Sequence, residues 1–152
     1  MSTPEETLEQ LGHPLPEVAK PVAAYVPTVR SGNHVYTSGQ LPMRDGQLIT
    51  TGKVGGEVTP EQAQECARQC LLNALAAVRA EVGELSAVKR VVKVVAFVAS
   101  TPDFTGQPGV ANGASELLGE VFGDVGKHAR SAVGVPVLPL DAPVEVELVV
   151  EV

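Results

Sequence analysis

Two side chains near the C-terminus have the types needed to hold a small organic acid and attack it with water. Arg130 lies in His128-Ala129-Arg130-Ser131-Ala132-Val133-Gly134-Val135, and Glu145 lies in Val144-Glu145-Val146-Glu147-Leu148-Val149-Val150. A guanidinium is a planar fork that grips a carboxylate through paired hydrogen bonds. A nearby carboxylate can place or activate a water. Arg130 and Glu145 as a working pair is therefore the chemical expectation, and Arg130 in a structural ion pair with a glutamate across a sheet is the alternative. Strand alternation puts Glu145 and Glu147 on one face and the valines on the other. Glu147 reads as part of a solvated strand face. His128 is two residues before Arg130, so the same alternation points both to one face.

Other chemistries find less support. His13, His34 and His128 are scattered, and Cys66 and Cys70 have no further ligands nearby, so no metal is expected. The two cysteines read as small buried thiols. Gly52, Gly55 and Gly56 have no phosphate-binding spacing and read as a loop. A net charge of −7 argues against a nucleic-acid partner. No apolar run reaches membrane-spanning length and no signal pattern opens the chain, so no membrane partner and a cytoplasmic setting are expected.

The elements that must position these residues are legible. The 152 residues fit one domain, 1–152, with 1–23 as an arm packed on it. Thr3, Pro4 and Gly12 bound a short helix, and Lys20-Pro21 enforces an extended path. Tyr25–Arg30 and His34–Ser38 are β-type runs around the turn Ser31-Gly32-Asn33. After the turn Arg44-Asp45-Gly46-Gln47, Leu48-Ile49-Thr50 is a candidate third strand. Thr59-Pro60-Glu61-Gln62 carries a capping box for a helix that Gly83 closes. Arg90–Val98 is an apolar strand expected in a central, two-sided position. A second long helix is predicted from Val110 to Phe122. The runs around Arg130 and Glu145, joined through a Pro-rich turn, read as a strand pair or two neighbouring strands. The order implies an α+β fold, with a mixed sheet and its two main helices on one face. Aromatic residues make up only 3%, so the core is Val, Leu and Ala, and the uncovered sheet face calls for a partner.

Ala129-Arg130-Ser131-Ala132-Val133-Gly134-Val135, followed by Leu138-Pro139 and Val144-Glu145-Val146-Glu147, resembles the C-terminal signature of the RidA (YjgF, L-PSP endoribonuclease-like) family. Thr37-Ser38-Gly39-Gln40-Leu41-Pro42, Thr59-Pro60-Glu61 with Asn73, and Val94-Val95-Ala96-Phe97-Val98 are similar to that family's other motifs. The likeness covers residues 22–152. The departures are Ala23-Ala24-Tyr25-Val26-Pro27-Thr28 in place of G-P-Y-S-Q-A, Ala132 where active members often carry cysteine, and Gly134. With the N-terminal arm and the Gly-rich insertion at 51–56, they point to a divergent, longer branch.

The resemblance implies a chorismate-mutase-like fold and a homotrimer, a barrel with clefts between subunits. It implies a cofactor-independent hydrolase, a deaminase that converts 2-imino and enamino acids to 2-oxo acids and ammonia. By resemblance, Arg130 holds the substrate carboxylate, Glu145 positions the attacking water, and Tyr25, Ser38, Asn112 and Ala132 line the substrate site. On residue type alone, Tyr25 is equally a packing aromatic and Asn112 a polar residue of a helix's first turn. The competing functions are a non-catalytic module that binds a small carboxylate metabolite and an endoribonuclease. The acidic balance, and the lack of a histidine pair for acid–base work, count against the endoribonuclease.

Overall fold

A computed structural model describes residues 1–19 and 24–152. The extended path expected at Lys20-Pro21 lies outside the described residues. Helix α1, Pro4–Gln10, has the reciprocal cap of Thr3 and Glu6, and the chain turns at Gly12 with φ 82°. Leu8 is buried, and the Glu5 carboxylate accepts a hydrogen bond from the Leu85 amide at 3.0 Å, which docks this helix on the domain.

Helix α2, Pro60–Val82, starts at the Thr59–Gln62 capping box and ends at Gly83, whose φ is 95°. Ala63, Cys66, Ala67, Cys70, Leu71, Ala74, Leu75 and Val78 are buried on it, following the helical spacing of the sequence. Helix α3 spans Gln107–Phe122, so it begins at Gln107 rather than Val110. Its N-cap is Gly106, with no side-chain cap bond, so the usual polar start signal is missing.

The strands are β1 (Thr28–Ser31), β2 (His34–Thr37), β3 (Met43–Arg44), β4 (Gln47–Leu48), β5 (Arg90–Ala99), β6 (Ala129–Val135) and β7 (Val144–Glu151). β1 and β2 form the expected antiparallel hairpin, although the first run begins at Thr28 and leaves Tyr25 ahead of it. Leu48 pairs with Met43 in a separate two-stranded hairpin instead of joining the main sheet.

The main sheet has the order β1-β2-β7-β5-β6. β6 and β7 are therefore not a strand pair or neighbours, because β5 runs between them. β6 is parallel to β5 and β7 is antiparallel to it. A parallel pair needs a crossover, which α3 supplies, and the segment containing the short helical turn Pro139–Asp141 returns the chain to the far side of β5.

Helices α2 and α3 cover one face. Val91, Val94, Ala96, Val98, Val144, Val146, Leu148 and Val150 are buried there. On the other face, Val95, Phe97 and Val149 are only half-buried, and Tyr36 and Val133 are 47% and 46% exposed. β5 is thus an interior strand, fourth in the order, but covered on one side only.

The two helices cross with backbones in near contact, because Gly113 of α3 sits directly over the Gln64 carbonyl of α2. A Cβ at this point would collide with backbone, which cannot swing aside. Gly113→Ala is expected to lower stability by about 1–3 kcal/mol, seen as an earlier urea midpoint at unchanged m.

Candidate functional site

Arg130, on the edge strand β6, pairs in register with the buried Val94. Its side chain therefore turns to the helix side and lies along α3. One guanidinium nitrogen, Nη1, donates to Asn112 Oδ1 at 2.8 Å and to Ser115 Oγ at 3.2 Å. The other, Nη2, donates to the Pro108 carbonyl at 3.3 Å. Asn112 and Ser115 are spaced i, i+3, so they share a helix face. All three acceptors are neutral, and no carboxylate forms an ion pair with Arg130 among the described residues. The cross-sheet ion pair is thus not what the fold builds. The fork is held in place with its positive charge uncompensated, which suits an incoming anion. Ala132, in register with the buried Ala96, faces the same side one step along the strand.

His128 joins this cluster, on the side that alternation predicts. Its Nε2 lies 2.8 Å from Ser115 Oγ, and its Nδ1 lies 2.6 Å from the Gly126 carbonyl. A carbonyl only accepts, so Nδ1 carries a proton, and in the neutral ring Nε2 is then the acceptor. The sequence analysis missed Ser115. Its spacing from Asn112 was the available signal, but only the β6–α3 packing brings it to Arg130.

Glu145 belongs to a different surface. It pairs in register with Phe97, whereas Arg130 lines up through Val94 with Leu148, three residues further along β7. Alternation then puts Arg130 on the helix side and Glu145 on the open side. The expected working pair is therefore not formed within one protomer. Glu145 lies instead against Gly39, the residue after Ser38. Gln40 and Val146 exchange backbone hydrogen bonds at 2.8 and 3.0 Å, which lays this segment along β7, and the Glu145 side chain packs on Gly39. A Cβ at Gly39 would stand 2.8 Å from the Glu145 carboxyl, so only glycine leaves the carboxylate this room. Ser38 donates its hydroxyl to the Val26 carbonyl and ties down the segment beside Tyr25. Tyr25, Gly39 and Asn73 line a cleft of about 550 Å³.

Burial, and then the neighbouring Glu147, raise the Glu145 pKa above the ordinary carboxylate value of 4.5. That makes Glu145 a better proton acceptor than a free carboxylate. The cysteines are inert by comparison. Burial pushes the Cys66 thiol up to about 12 and Cys70 well above its usual value. No group of three or more His, Cys, Asp or Glu side chains that could hold a metal occurs among the described residues. No helix among them is long and apolar enough to cross a membrane.

One protomer thus carries two separate features, an arginine cradle at the β6 edge and a glutamate shelf on the open face. A family model for YjgF/chorismate-mutase-like endoribonucleases matches residues 5–152. The chain belongs to this family. Its α+β fold, a mixed sheet with helices, is the YjgF/chorismate-mutase-like fold. Protein TCP17 of Trypanosoma cruzi is 48% identical over 145 residues, which is 95% of this chain and 91% of the relative. A protein of Dermatophagoides farinae named 2-iminobutanoate/2-iminopropanoate deaminase is 34% identical over 135 residues, covering 89% of this chain and 91% of its own. The crystal structure of Atu1372 from Agrobacterium tumefaciens, of unknown function, superposes with a TM-score of 0.92 at 46% identity, covering 99% of this chain and 92% of that one.

The raised Glu145 pKa makes a stability prediction with a definite sign. A carboxyl whose folded pKa exceeds its unfolded one favours the native state at low pH, and that contribution is lost as pH rises through the folded pKa. Glu145→Gln removes the buried charge. Urea midpoints should therefore rise above those of the parent chain at neutral pH, and the two should converge below the ordinary carboxylate value of 4.5.

Proposed function

We propose that this chain is a cofactor-independent deaminase that hydrolyses 2-imino and enamino acids to 2-oxo acids and ammonia. The observation that carries the reading is the Arg130 guanidinium, fixed by neutral acceptors and unmatched by any carboxylate among the described residues. The fork takes the substrate carboxylate. An imine carbon is already electrophilic, so the remaining need is one well-placed water. Glu145 accepts a proton from that water as its oxygen bonds to the imine carbon. The tetrahedral adduct then expels ammonia, the nitrogen having collected the protons released, and the 2-oxo acid remains. Asn112 holds Arg130, while Tyr25, Ser38 and Ala132 shape the walls of the site. The name of the 34%-identical mite relative supports this chemistry.

The arginine cradle and the glutamate shelf are read as half-sites that meet only between subunits. In our reading, the open apolar face of one copy packs in a homotrimeric barrel, and its Glu145 shelf faces a neighbour's Arg130 cradle. Half-buried Val95, Phe97 and Val149, with exposed Tyr36 and Val133, suit such a face. Two buried free thiols fit a cytoplasmic setting. The second reading is a binding module for a small carboxylate metabolite. It is favoured by the fact that the arginine cradle is complete in one protomer whereas the glutamate is not beside it.

Ammonia release from 2-iminobutanoate, generated in situ by an amino-acid oxidase, tests the assignment. Arg130→Ala should lower kcat/KM by about 100-fold or more, the loss of a charge-assisted carboxylate grip of roughly 3 kcal/mol. Unchanged turnover in that variant overturns the deaminase reading. Saturable binding of 2-oxobutanoate without ammonia release favours the binding module. Val133→Asp, on the open face, should dissociate the assembly in sedimentation and abolish activity while leaving the helix-side core folded.

A further inference from the structure

We propose that His128 is a positioning residue that acts through the Ser115 hydroxyl to aim the Arg130 guanidinium at its ligand. The inference rests on the carboxylate-gripping role of Arg130 given above, and adds the group that sets the direction of the grip.

The hydrogen bonds between Arg130 and Gly126 all run one way. Arg130 Nη1 donates to Ser115 Oγ at 3.2 Å, Ser115 Oγ donates to His128 Nε2 at 2.8 Å, and His128 Nδ1 donates to the Gly126 carbonyl at 2.6 Å. The direction is set from the far end when the imidazole is neutral. The Gly126 carbonyl then fixes its one ring proton on Nδ1, which leaves Nε2 as an acceptor. Ser115 has one proton, and Nε2 takes it. Its lone pairs are then left for Arg130. Bonds aligned in this way polarise one another, which firms the last link.

Without His128 the hydroxyl has a competing option. A serine inside a helix readily turns its proton back to the carbonyl four residues earlier, here that of Ala111. That rotation moves the lone pairs away from Nη1. Arg130 would then keep only Asn112 Oδ1 and the Pro108 carbonyl, and would be free to pivot about them. The relay is also electrically neutral with this tautomer. It fixes the guanidinium without placing an anion beside it, so the charge stays available to a ligand. An acidic residue in place of His128 or Ser115 would hold Arg130 as firmly but cancel that charge.

The experiment compares Ser115→Ala, His128→Leu and His128→Gln with the parent chain, full length and in its native assembly. Gln can present its amide oxygen where Nε2 stands, so it restores the acceptor without the ring. In the coupled 2-iminobutanoate assay, Ser115→Ala and His128→Leu should each raise KM by about tenfold while kcat stays within about twofold, since binding geometry is what weakens. His128→Gln should recover KM to within about threefold of the parent. Calorimetric titration with 2-oxobutanoate, an inert carboxylate probe, should show the same order in Kd, with no measurable binding to Arg130→Ala. Unmoved KM and Kd in Ser115→Ala and His128→Leu overturn the relay, as does a His128→Gln variant as impaired as His128→Leu, which would mark a packing role. Where the parent chain binds the probe and only Arg130→Ala loses it, the relay falls and the carboxylate-gripping role of Arg130 stands. A parent chain that neither binds the probe nor releases ammonia overturns both.

Discussion

The candidate site depends on how a single cation is held. The Arg130 guanidinium lies flat along α3, fastened by an amide oxygen, a hydroxyl and a backbone carbonyl, none of them charged. Carboxylate partners would have anchored it equally well and left it with little attraction for an outside anion. Topology makes the arrangement available. Because β5 and β6 are parallel, the chain between them must cross over the sheet, and α3 is that crossover. Its first turns then run beside the edge strand, within reach of a long side chain from it. A hairpin between the same strands would have given Arg130 no helix to lie against.

The sheet's sidedness follows from composition. With 3% aromatic residues, the core is assembled from Val, Leu and Ala, and the helices supply the bulk on one face. Small residues also permit the close crossing at Gly113, where larger side chains would have pushed α2 and α3 apart. The other face keeps valines, a phenylalanine and a tyrosine without cover from its own chain. Glu145 sits among them, half-buried even in a single protomer, and the apolar setting raises its proton affinity. Glu145 and the uncovered apolar surface therefore share one side of one sheet.

Local signals carried most of the secondary structure. The capping boxes at Thr3 and Thr59 and the positive φ of Gly12 and Gly83 fall where Thr, Pro and Gly marked them. The start of α3 was misplaced because Gly106 caps it without a side chain, so no polar residue announced it. Strand partners were less legible. The runs around Arg130 and Glu145 look like a strand pair or two neighbouring strands in sequence, yet β5, far upstream, fits between them. Pairing is decided by long-range packing and handed crossovers, which short-range patterns do not encode. The site followed the same division. Residue types and alternation placed His128 with Arg130 correctly. They could not show that Arg130 and Glu145 face opposite sides, because that depends on the register of both strands against β5. Ser115 went unnoticed because nothing in a helical serine reveals what crosses above it.

The chain has two tyrosines and no tryptophan, and both tyrosines, Tyr25 and Tyr36, are 47% exposed. Tyr36 stands on the open face and Tyr25 lines the cleft. The molecule's near-ultraviolet emission thus originates almost wholly outside the helix-side core. Spectroscopically the protein is a reporter of its own outer surface: subunits meeting there change the signal directly, whereas loosening of the aliphatic interior passes nearly unseen.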